Sequence, residues 1–281
     1  MRSLPLPRVT KVDIKTCRKK TSSSKKPKSS TDALSSLFIA DLHLKADAPA
    51  LTASAHRLLQ QLAPRFENLF ILGDLVEYWL GDDADDGSQA SVFNALRALS
   101  DQGVSIRMMP GNRDFLFGQA FAARIGAELI QDDEIVFEDE DHRLLLLHGD
   151  TLCTDDVPYQ QLRRMLRDPH WQADFLSKPI AERIAAAAQL REKSRQETHA
   201  KSAEIMDVNA DSVIAVMEQY GVYDMIHGHT HRPDTHEFQI NDHQARRTVL
   251  GDWRDEGARI AVLENGQLSL LQWPQDFADL D

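Results

Sequence analysis

Five short motifs carry side chains that could bind metal ions, and each follows an apolar run of the sequence. They are Asp41-Leu42-His43, Gly73-Asp74, Gly111-Asn112-Arg113-Asp114, His148-Gly149-Asp150 and Gly228-His229-Thr230-His231. Oxygen and nitrogen donors of this kind, without a thiolate, suit two divalent ions about 3.5–4 Å apart that act on a phosphoryl group. We therefore expect two carboxylates, one amide and four imidazoles as metal ligands, from Asp41, His43, Asp74, Asn112, His148, His229 and His231.

The spacing within the motifs is compatible with one shared site. Asp41 and His43 are two residues apart, so at the end of a strand they share a face and one turn can direct both towards one ion. Asp74 has two carboxylate oxygens and can bridge two ions, while the neutral amide of Asn112 limits the total charge. Two cations would lower the pKa of a bridging water and offset charge on the phosphoryl oxygens.

Several polar residues near the motifs have more than one interpretation. Asp114 and Asp150 either orient ligating histidines by accepting their ring N–H groups or are turn residues. The acidic stretch with Asp82, Asp83, Asp85 and Asp86 is either a third cation site or a solvated loop, and the loop is favoured. His227 is expected not to be a ligand, and Asp156 can cap a helix that begins after it.

The apolar runs that precede the motifs predict buried strands, and helical periodicity separates the first of them. Strands are expected at 37–40, 69–72, 104–109, 135–137, 144–147, 223–226, 247–250, 259–263 and 268–271, and helices after Pro49, at 92–99 and at 117–125. This alternation, with a strand-rich end, indicates a layered α/β fold in which ligands gather at the carboxyl ends of the strands. Glycines in the motifs permit tight turns and close backbone approach there.

Charge is distributed unevenly along the 281 residues, which fit one large domain or one domain plus a lid. The first 36 residues hold ten of the 32 Lys/Arg and two of the 44 Asp/Glu, so the remainder carries a formal charge of −20. Such an acidic body argues against broad binding to nucleic acid. Residues 1–35 are expected to be a basic disordered tail, a targeting segment or a patch for anionic lipid. The two cysteines, Cys17 and Cys153, are not expected to pair, which favours a reducing compartment.

Residues 154–205 interrupt the strand pattern between the fourth and fifth motifs. Their helical periodicity and basic side chains predict a helical cap inserted into a core formed by residues 36–153 and 206–275. The segment contains many apolar residues for a connector. They form either a small core of its own or an apolar groove for a lipid-like substrate.

The five motifs resemble the signature of the calcineurin-like metallophosphoesterase family, which reads D-x-H, G-D, G-N-H-D/E, H and G-H-x-H. This resemblance implies a sandwich of two β-sheets flanked by helices, with a helical cap insertion. Arg113 departs from the pattern, because the family has there a histidine that acts on the leaving group. Arginine does not readily give up a proton, so the departure favours cleavage of a pyrophosphate, whose leaving group departs as a phosphate anion, with Arg113 neutralising charge.

Longer stretches are similar to one bacterial branch of that family, at residues 38–44, 111–116, 148–156, 205–209 and 227–233, within a resemblance that covers about residues 36–272. The branch consists of Mn²⁺-dependent pyrophosphatases of lipid A biosynthesis. The resemblance implies hydrolysis of UDP-2,3-diacylglucosamine to UMP and 2,3-diacylglucosamine 1-phosphate, with water attacking the α-phosphorus.

The resemblance also implies residue roles. Two Mn²⁺ ions would be held, one by Asp41, His43, Asp74 and His231, the other by Asp74, Asn112, His148 and His229. Asn112 and Arg113 match catalytic positions. The positions that match substrate contacts are Asn112, Arg113, Asp156, Ser194, Thr198, Lys201 and His229, with Thr198 standing where the family often has asparagine.

An acylated UDP-sugar substrate implies work at the cytoplasmic face of the inner membrane, with peripheral attachment and without a membrane span. No nucleic-acid partner is expected from the acidic body, and no obligate protein partner is inferred. Two alternatives remain open. The first is another nucleotide pyrophosphatase or phosphodiesterase on the same core. The second is a metal-free interaction scaffold, which the complete ligand set opposes.

Overall fold

The computed structural model describes residues 11–12, 35–139, 142–199, 207–255 and 257–280, without the side chains of 11–12, 193–199 and 280. Twelve strands lie in these ranges: β1 Lys11–Val12, β2 Ser36–Ile39, β3 Asn68–Leu72, β4 Ser105–Met109, β5 Ala127–Leu129, β6 Glu134–Asp139, β7 His142–Leu147, β8 Asp224–His227, β9 Asp234–Ile240, β10 His243–Val249, β11 Ala258–Glu264 and β12 Gln267–Trp273. The α-helices there are α1 Pro49–Arg57, α2 Ala90–Asp101, α3 Gln119–Ile125, α4 Val157–Leu166, α5 Pro169–Ser177, α6 Ile180–His199 and α7 Ala210–Tyr220.

The strands form two six-stranded sheets, in the orders β12-β11-β2-β3-β4-β5 and β1-β6-β7-β8-β10-β9. Strands β2 to β5 are mutually parallel, and so are β7, β8 and β10. Hairpins complete both sheets through the antiparallel pairs β11–β12, β6–β7 and β9–β10. The predicted α/β sandwich of two sheets is therefore confirmed.

Alternate residues of the central strands pack on opposite faces. Phe38 and Phe70 stack with centroids 5.1 Å apart and meet Phe137 of the other sheet, so they form the apolar layer between the sheets. Their neighbours Leu37 and Ile71 belong instead to the cluster that includes residues of α1, α2 and α3. Helix α7 covers the outer face of the second sheet. The central strands of both sheets are thus buried on two sides, which explains their nearly continuous apolar sequences.

Side-chain caps set where several helices begin. The carboxylates of Asp156 and Asp168 accept backbone N–H groups at the starts of α4 and α5, and Asn209 does the same for α7. These three caps satisfy backbone donors that have no partner within the helix. The expected cap by Asp156 is confirmed.

The cap helices, as we call α4, α5 and α6, lie in the segment predicted as an insert. The proposed boundaries of that insert at residues 154–205 stay a prediction, because residues 200–206 lie outside the described ranges. The tail prediction also falls mostly outside them. Within that stretch Lys11–Val12 form β1, which pairs in parallel with Val136 and Phe137 of β6, and the tail as a whole stays a prediction. No helix within the described residues is both long and apolar enough to cross a membrane.

Candidate active site

The ends of strands from both sheets carry the metal-binding candidates to one place. Asp41 and Asp74 follow β2 and β3 in one sheet, and His148 follows β7 in the other. Backbone hydrogen bonds connect neighbouring motifs at these strand ends. The N–H group of Asp41 donates to Gly73 O at 3.1 Å, and that of Gly228 donates to His148 O at 2.9 Å. The sandwich therefore converts five separated motifs into a single cluster.

Distances between donor atoms show that all seven side chains converge. The Nε2 atoms of His43 and His231 are 3.1 Å apart. Asp74 Oδ2 lies 3.7 Å from His43 Nε2 and 3.7 Å from His148 Nε2. Asp41 Oδ1 lies 3.6 Å from His231 Nε2. Asn112 Oδ1 completes the cluster, 3.0 Å from His148 Nε2 and 2.9 Å from His229 Nδ1.

The chemistry of this cluster fits divalent cations. Two groups of side chains, Asp41–His43–His231 and Asp41–Asp74–His148, each place their donor atoms within 4.8 Å of one another. Asp41 belongs to both groups, whereas the resemblance assigned it to one ion and gave the bridging role to Asp74. Asp41 and Asp74 are buried, and buried carboxylates require positive partners.

The pKa shifts in the cluster reflect a balance between burial and neighbouring charges that differs from one histidine to the next. Burial alone would lower the pKa of His148, but the charges of Asp74 and Asp150 raise it, and the same charges would favour a cation there. Burial and the nearby His148 lower the pKa of His229 to about 4, so its imidazole is neutral and keeps a lone pair for a metal ion.

The ligand-bearing loops adopt strained backbone. Positive φ angles occur at Asp41 (55°), His43 (47°), Asp74 (53°), His229 (69°) and His231 (54°). Side chains other than glycine rarely adopt this region, and each such residue costs about 1–3 kcal/mol. Five of the seven candidate ligands share it, so the surrounding sheets must hold these loops in place.

Two motif glycines allow the loops to approach each other. A Cβ atom on Gly111 would lie 2.1 Å from Asp74 Oδ1, and one on Gly228 would lie 2.3 Å from Asp41 Oδ2. No side chain fits at such distances. The expected close backbone approach is therefore present at both positions.

Asp114 and Asp150 do not orient histidines, and the structure gives each another role. Asp114 accepts the backbone N–H groups of Leu75 and Gly111 at 2.7 Å each, which ties the second motif to the third. Asp150 accepts Tyr159 Oη at 2.8 Å and Arg163 Nε at 2.7 Å, so it anchors α4 to the core. The ring of His148 is instead oriented through Nδ1, 2.9 Å from the carbonyl oxygen of Leu72.

Two residues that border the cluster were not singled out from the sequence. Glu77 lies 3.3 Å from His43 Nδ1 and 3.6 Å from Arg113 Nη1, and the ring of Tyr159 stacks on His229 with centroids 5.9 Å apart. The spacing of Glu77, three residues after Asp74, was a signal available in the sequence. Tyr159 had none, because its contact depends on how α4 packs on the core.

A cleft of about 400 Å³ opens from the metal-binding cluster and runs beneath the cap helices. Its polar end is lined by Asn112, Arg113, His229 and His231. The apolar part of its lining is formed by Phe115, Leu116, Leu162, Leu166, Trp171, Phe175 and Leu190. Of the two interpretations for the apolar residues of the insert, this geometry supports the groove.

The remaining candidate contacts lie along the cap helices. Asp156 is buried and lines the cleft while it caps α4. Ser194 and Thr198 lie in α6, but their side chains are outside the described set, and Lys201 is outside the described residues altogether.

The carboxylates of the acidic loop form hydrogen bonds and ion pairs within the protein. Asp82 accepts the indole N–H of Trp79 and two backbone N–H groups at the start of α3. Asp83 pairs with Arg183, and Asp85 with Arg124. These contacts support the favoured interpretation as a loop.

His227 is directed away from the cluster, towards Arg247 and the Gly228 carbonyl oxygen.

Comparison with known proteins agrees with this geometry. Residues 34–233 match the family model described as calcineurin-like phosphoesterase. The chain is 44% identical over 241 residues to a "UDP-2,3-diacylglucosamine hydrolase" of Serratia proteamaculans, covering 86% of this chain and 100% of the relative. The protein of that name from Escherichia coli O7:K1 is 42% identical over 241 residues, with the same coverage, and that from Pseudomonas savastanoi is 45% identical over 230 residues, covering 82% and 92%.

Among solved structures, vacuolar protein sorting 29 from Cryptosporidium parvum superimposes on 85% of this chain and 96% of its own, with a TM-score of 0.43 and 11% identity, too distant to add to the assignment. The extent of the sequence matches decides the family. This chain belongs to the calcineurin-like phosphoesterases and, within them, to the family of the UDP-2,3-diacylglucosamine hydrolases.

Proposed function

We propose that this enzyme hydrolyses the pyrophosphate bond of UDP-2,3-diacylglucosamine, giving UMP and 2,3-diacylglucosamine 1-phosphate in lipid A biosynthesis. Water supplies the new oxygen on the α-phosphorus, and the bond from this phosphorus to the bridging oxygen breaks. The sugar 1-phosphate leaves as a stable anion, so the leaving group needs no proton from the protein.

The observation that carries this proposal is the continuity of the cleft. One cleft is lined both by residues of the metal-binding cluster, namely Asn112, His229 and His231, and by apolar residues of the cap helices such as Leu162, Leu166 and Trp171. A diphosphate with acyl chains on one side requires these two environments side by side. A water-soluble dinucleotide would leave the apolar end, with Trp171 and Phe175, without a ligand to cover it.

The residues at the polar end divide the work. We propose Asp41, His43, Asp74, Asn112, His148, His229 and His231 as ligands of two divalent ions, with Mn²⁺ as the metal used. When bound, such ions lower the pKa of a water and offset charge on phosphoryl oxygens. His229 is neutral, and so is the amide of Asn112. Because these two ligands add no negative charge to that of Asp41 and Asp74, an anionic substrate can approach the cluster.

Arg113 is the proposed partner of the transferring phosphoryl group. Its side chain is 41% exposed and lines the cleft beside Asn112. Its backbone N–H donates to Asp74 Oδ1 at 2.8 Å, which holds the residue against the metal-binding cluster while the guanidinium extends into the cleft. A guanidinium can offset charge on two phosphate oxygens at once. We also retain Asp156, Ser194, Thr198, Lys201 and His229 as proposed substrate contacts.

The direct test is release of UMP from UDP-2,3-diacylglucosamine by the purified enzyme, after chelation and then with Mn²⁺ added. We expect activity only after Mn²⁺ addition, and much weaker activity on dinucleoside polyphosphates under the same conditions. Preference for the dinucleotides would instead identify a soluble nucleotide pyrophosphatase. Wild-type rates in Trp171→Ala, which shortens the apolar wall, would also contradict the proposal.

We further propose that the enzyme works at the cytoplasmic face of the inner membrane without spanning it. The cap helices expose apolar side chains, including Val157 (54%), Met165 (42%) and Ile184 (51%). Basic residues near an anionic surface contribute about 1 kcal/mol each. Co-sedimentation with anionic vesicles should fall in Ile184→Glu and should not change in the control Tyr223→Glu, which replaces an exposed hydrophobic residue just before β8, outside the cap helices.

A further inference from the structure

Glu77 lies between a proposed metal ligand and the proposed phosphate-binding cation. One carboxylate oxygen, Oε2, is 3.3 Å from His43 Nδ1, and the other, Oε1, is 3.6 Å from Arg113 Nη1. The backbone N–H of Glu77 donates to Leu44 O at 3.1 Å, which fixes the main chain next to the first motif. The side chain is 31% exposed and lines the cleft.

The contact with His43 bears on the orientation of its ring. The Nδ1 atom is buried and makes no well-aligned hydrogen bond among the described residues, while Glu77 lies within reach of it. The opposite ring atom, Nε2, faces Asp74 and His231. A carboxylate beside Nδ1 keeps the ring proton on that atom and leaves the lone pair of Nε2 directed into the metal-binding cluster.

The contact with Arg113 bears on the position of the cation. The guanidinium is 41% exposed, and an exposed arginine side chain samples many rotamers. Among the described ion pairs, Glu77 is the acidic partner of Arg113. This pairing favours a guanidinium position at the cleft, whose lining also includes Asn112 and His231.

We propose that Glu77 is a positioning residue that couples metal binding to substrate binding, with one oxygen orienting His43 and the other orienting Arg113. The assignment of these two partners to a metal ion and a phosphoryl group rests on the proposed function above. In this role Glu77 acts through His43 and Arg113, not on the metal or the reacting atoms. Its two effects can therefore be separated by substitution.

Glu77→Ala and Glu77→Gln distinguish the two contacts. The glutamine keeps an oxygen that accepts the Nδ1–H of His43 and loses the charge that pairs with Arg113, whereas the alanine loses both. We expect the dissociation constant for Mn²⁺, measured by electron paramagnetic resonance of free Mn²⁺, to rise about 10–100-fold in Glu77→Ala. It should change less than about threefold in Glu77→Gln and in the control Glu264→Gln, which makes the same charge change at the exposed end of β11.

Steady-state kinetics on the lipid substrate test the second contact. Glu77→Gln should lower kcat/KM about tenfold in the wild-type background and have no further effect in Arg113→Ala, because its partner is then absent. Additive effects of the two substitutions, or equal losses of Mn²⁺ affinity in the glutamine and alanine variants, would overturn the proposal. Circular dichroism establishes folding, and Glu77→Asp replaces any variant that does not fold.

Failure of this inference differs from failure of the proposed function. If wild-type enzyme with Mn²⁺ releases no UMP, the reaction assignment is wrong, and the Mn²⁺ measurements still decide the role of Glu77 towards His43. If wild-type enzyme is active and Glu77→Ala matches it in Mn²⁺ affinity and kcat/KM, only the role of Glu77 is excluded.

Discussion

His43 and His231 are 188 residues apart in sequence, yet their Nε2 atoms lie 3.1 Å apart. Two imidazole nitrogens can approach this closely only if at least one of them presents a lone pair. The rings meet nearly edge to face, with an interplanar angle of 66°, and each presents its Nε2 atom to the other. The first and last motifs thus close the metal-binding cluster from the two sheets of the sandwich.

Asp74→Asn should nearly abolish Mn²⁺ binding and activity. Asparagine preserves size and one acceptor oxygen, so the fold survives, but it removes the charge shared by His43 and His148. Loss of residues that only support a metal ligand costs about 10–100-fold in affinity, and loss of a ligand should exceed about 100-fold. Titration with Mn²⁺ measures this loss. Asp86→Asn, in the acidic loop, is the matched control and should bind Mn²⁺ as wild type does.

Mn²⁺ should raise the thermal stability of the wild-type protein. A ligand at 100 times its dissociation constant stabilises the native state by about 2.7 kcal/mol. For a protein of this size that corresponds to an increase in Tm of roughly 5 °C. Scanning calorimetry with chelator and with Mn²⁺ measures it, and Asp74→Asn should show a much smaller shift. Equal Tm values for chelated and Mn²⁺-loaded wild type would contradict a metal-binding cluster.

Arg113→Ala should lower kcat/KM by about 10²–10³-fold, the usual effect of removing one charge-stabilising donor. Mn²⁺ affinity should change little, because the contact between Arg113 and Asp74 uses the backbone N–H group. Arg113→Lys should recover part of the loss, since it restores the charge and not the planar fork. Arg124→Ala, which removes the arginine paired with Asp85, is the control. A strong loss of Mn²⁺ affinity in Arg113→Ala would show that the residue acts on the metal instead.

Arg163→Met should destabilise the protein by about 3–5 kcal/mol, because it leaves the buried carboxylate of Asp150 without its cation. The side chains of Arg163 and Asp150 are only 11% and 2% exposed. Lys178→Met removes an exposed pair with Asp174 in the same cap helices and should cost at most about 1 kcal/mol. Urea denaturation measures both values. Equal costs would mean that Asp150 does not anchor α4.

Cys153 should resist alkylation in the folded protein. Burial, together with the charges of Asp150 and Asp207, raises the pKa of its thiol to about 12. The reactive thiolate therefore forms only near that pH, and at pH 8 its population is roughly a thousandfold below that of an ordinary cysteine. Mass spectrometry after iodoacetamide treatment measures labelling at Cys153, with unfolded protein as the control. Rapid labelling at pH 8 in the native state would contradict the burial of this residue.

The identities of the candidate ligands and the strand before each motif were accessible from the sequence. A short apolar run followed by Asp41 or by Gly73-Asp74 is a local pattern, and strand ends follow from local patterns. Strand boundaries differ from the predicted ones where pairing lengthens a strand. The strand expected at 247–250 is β10, which begins at His243 because it pairs with β9 over its full length. The short strand β5 was missed because Ala127–Leu129 has no clear alternation.

The partners of the buried acids were decided only by tertiary structure. From sequence alone, Asp150 was as well placed to orient a histidine as to serve in a turn. Its actual partners, Tyr159 and Arg163, depend on how α4 docks against the core. Glu77 likewise acquires its two contacts only when the first three motifs meet.

The sequence by itself determined which atoms are available for binding metal ions, because residue types and strand ends are written locally along the chain. The tertiary structure decided which atoms face one another. It also decided that Asp41, His43, Asp74, His229 and His231 adopt positive φ angles. Such backbone is unfavourable for an isolated loop and persists only where contacts between distant segments outweigh its cost.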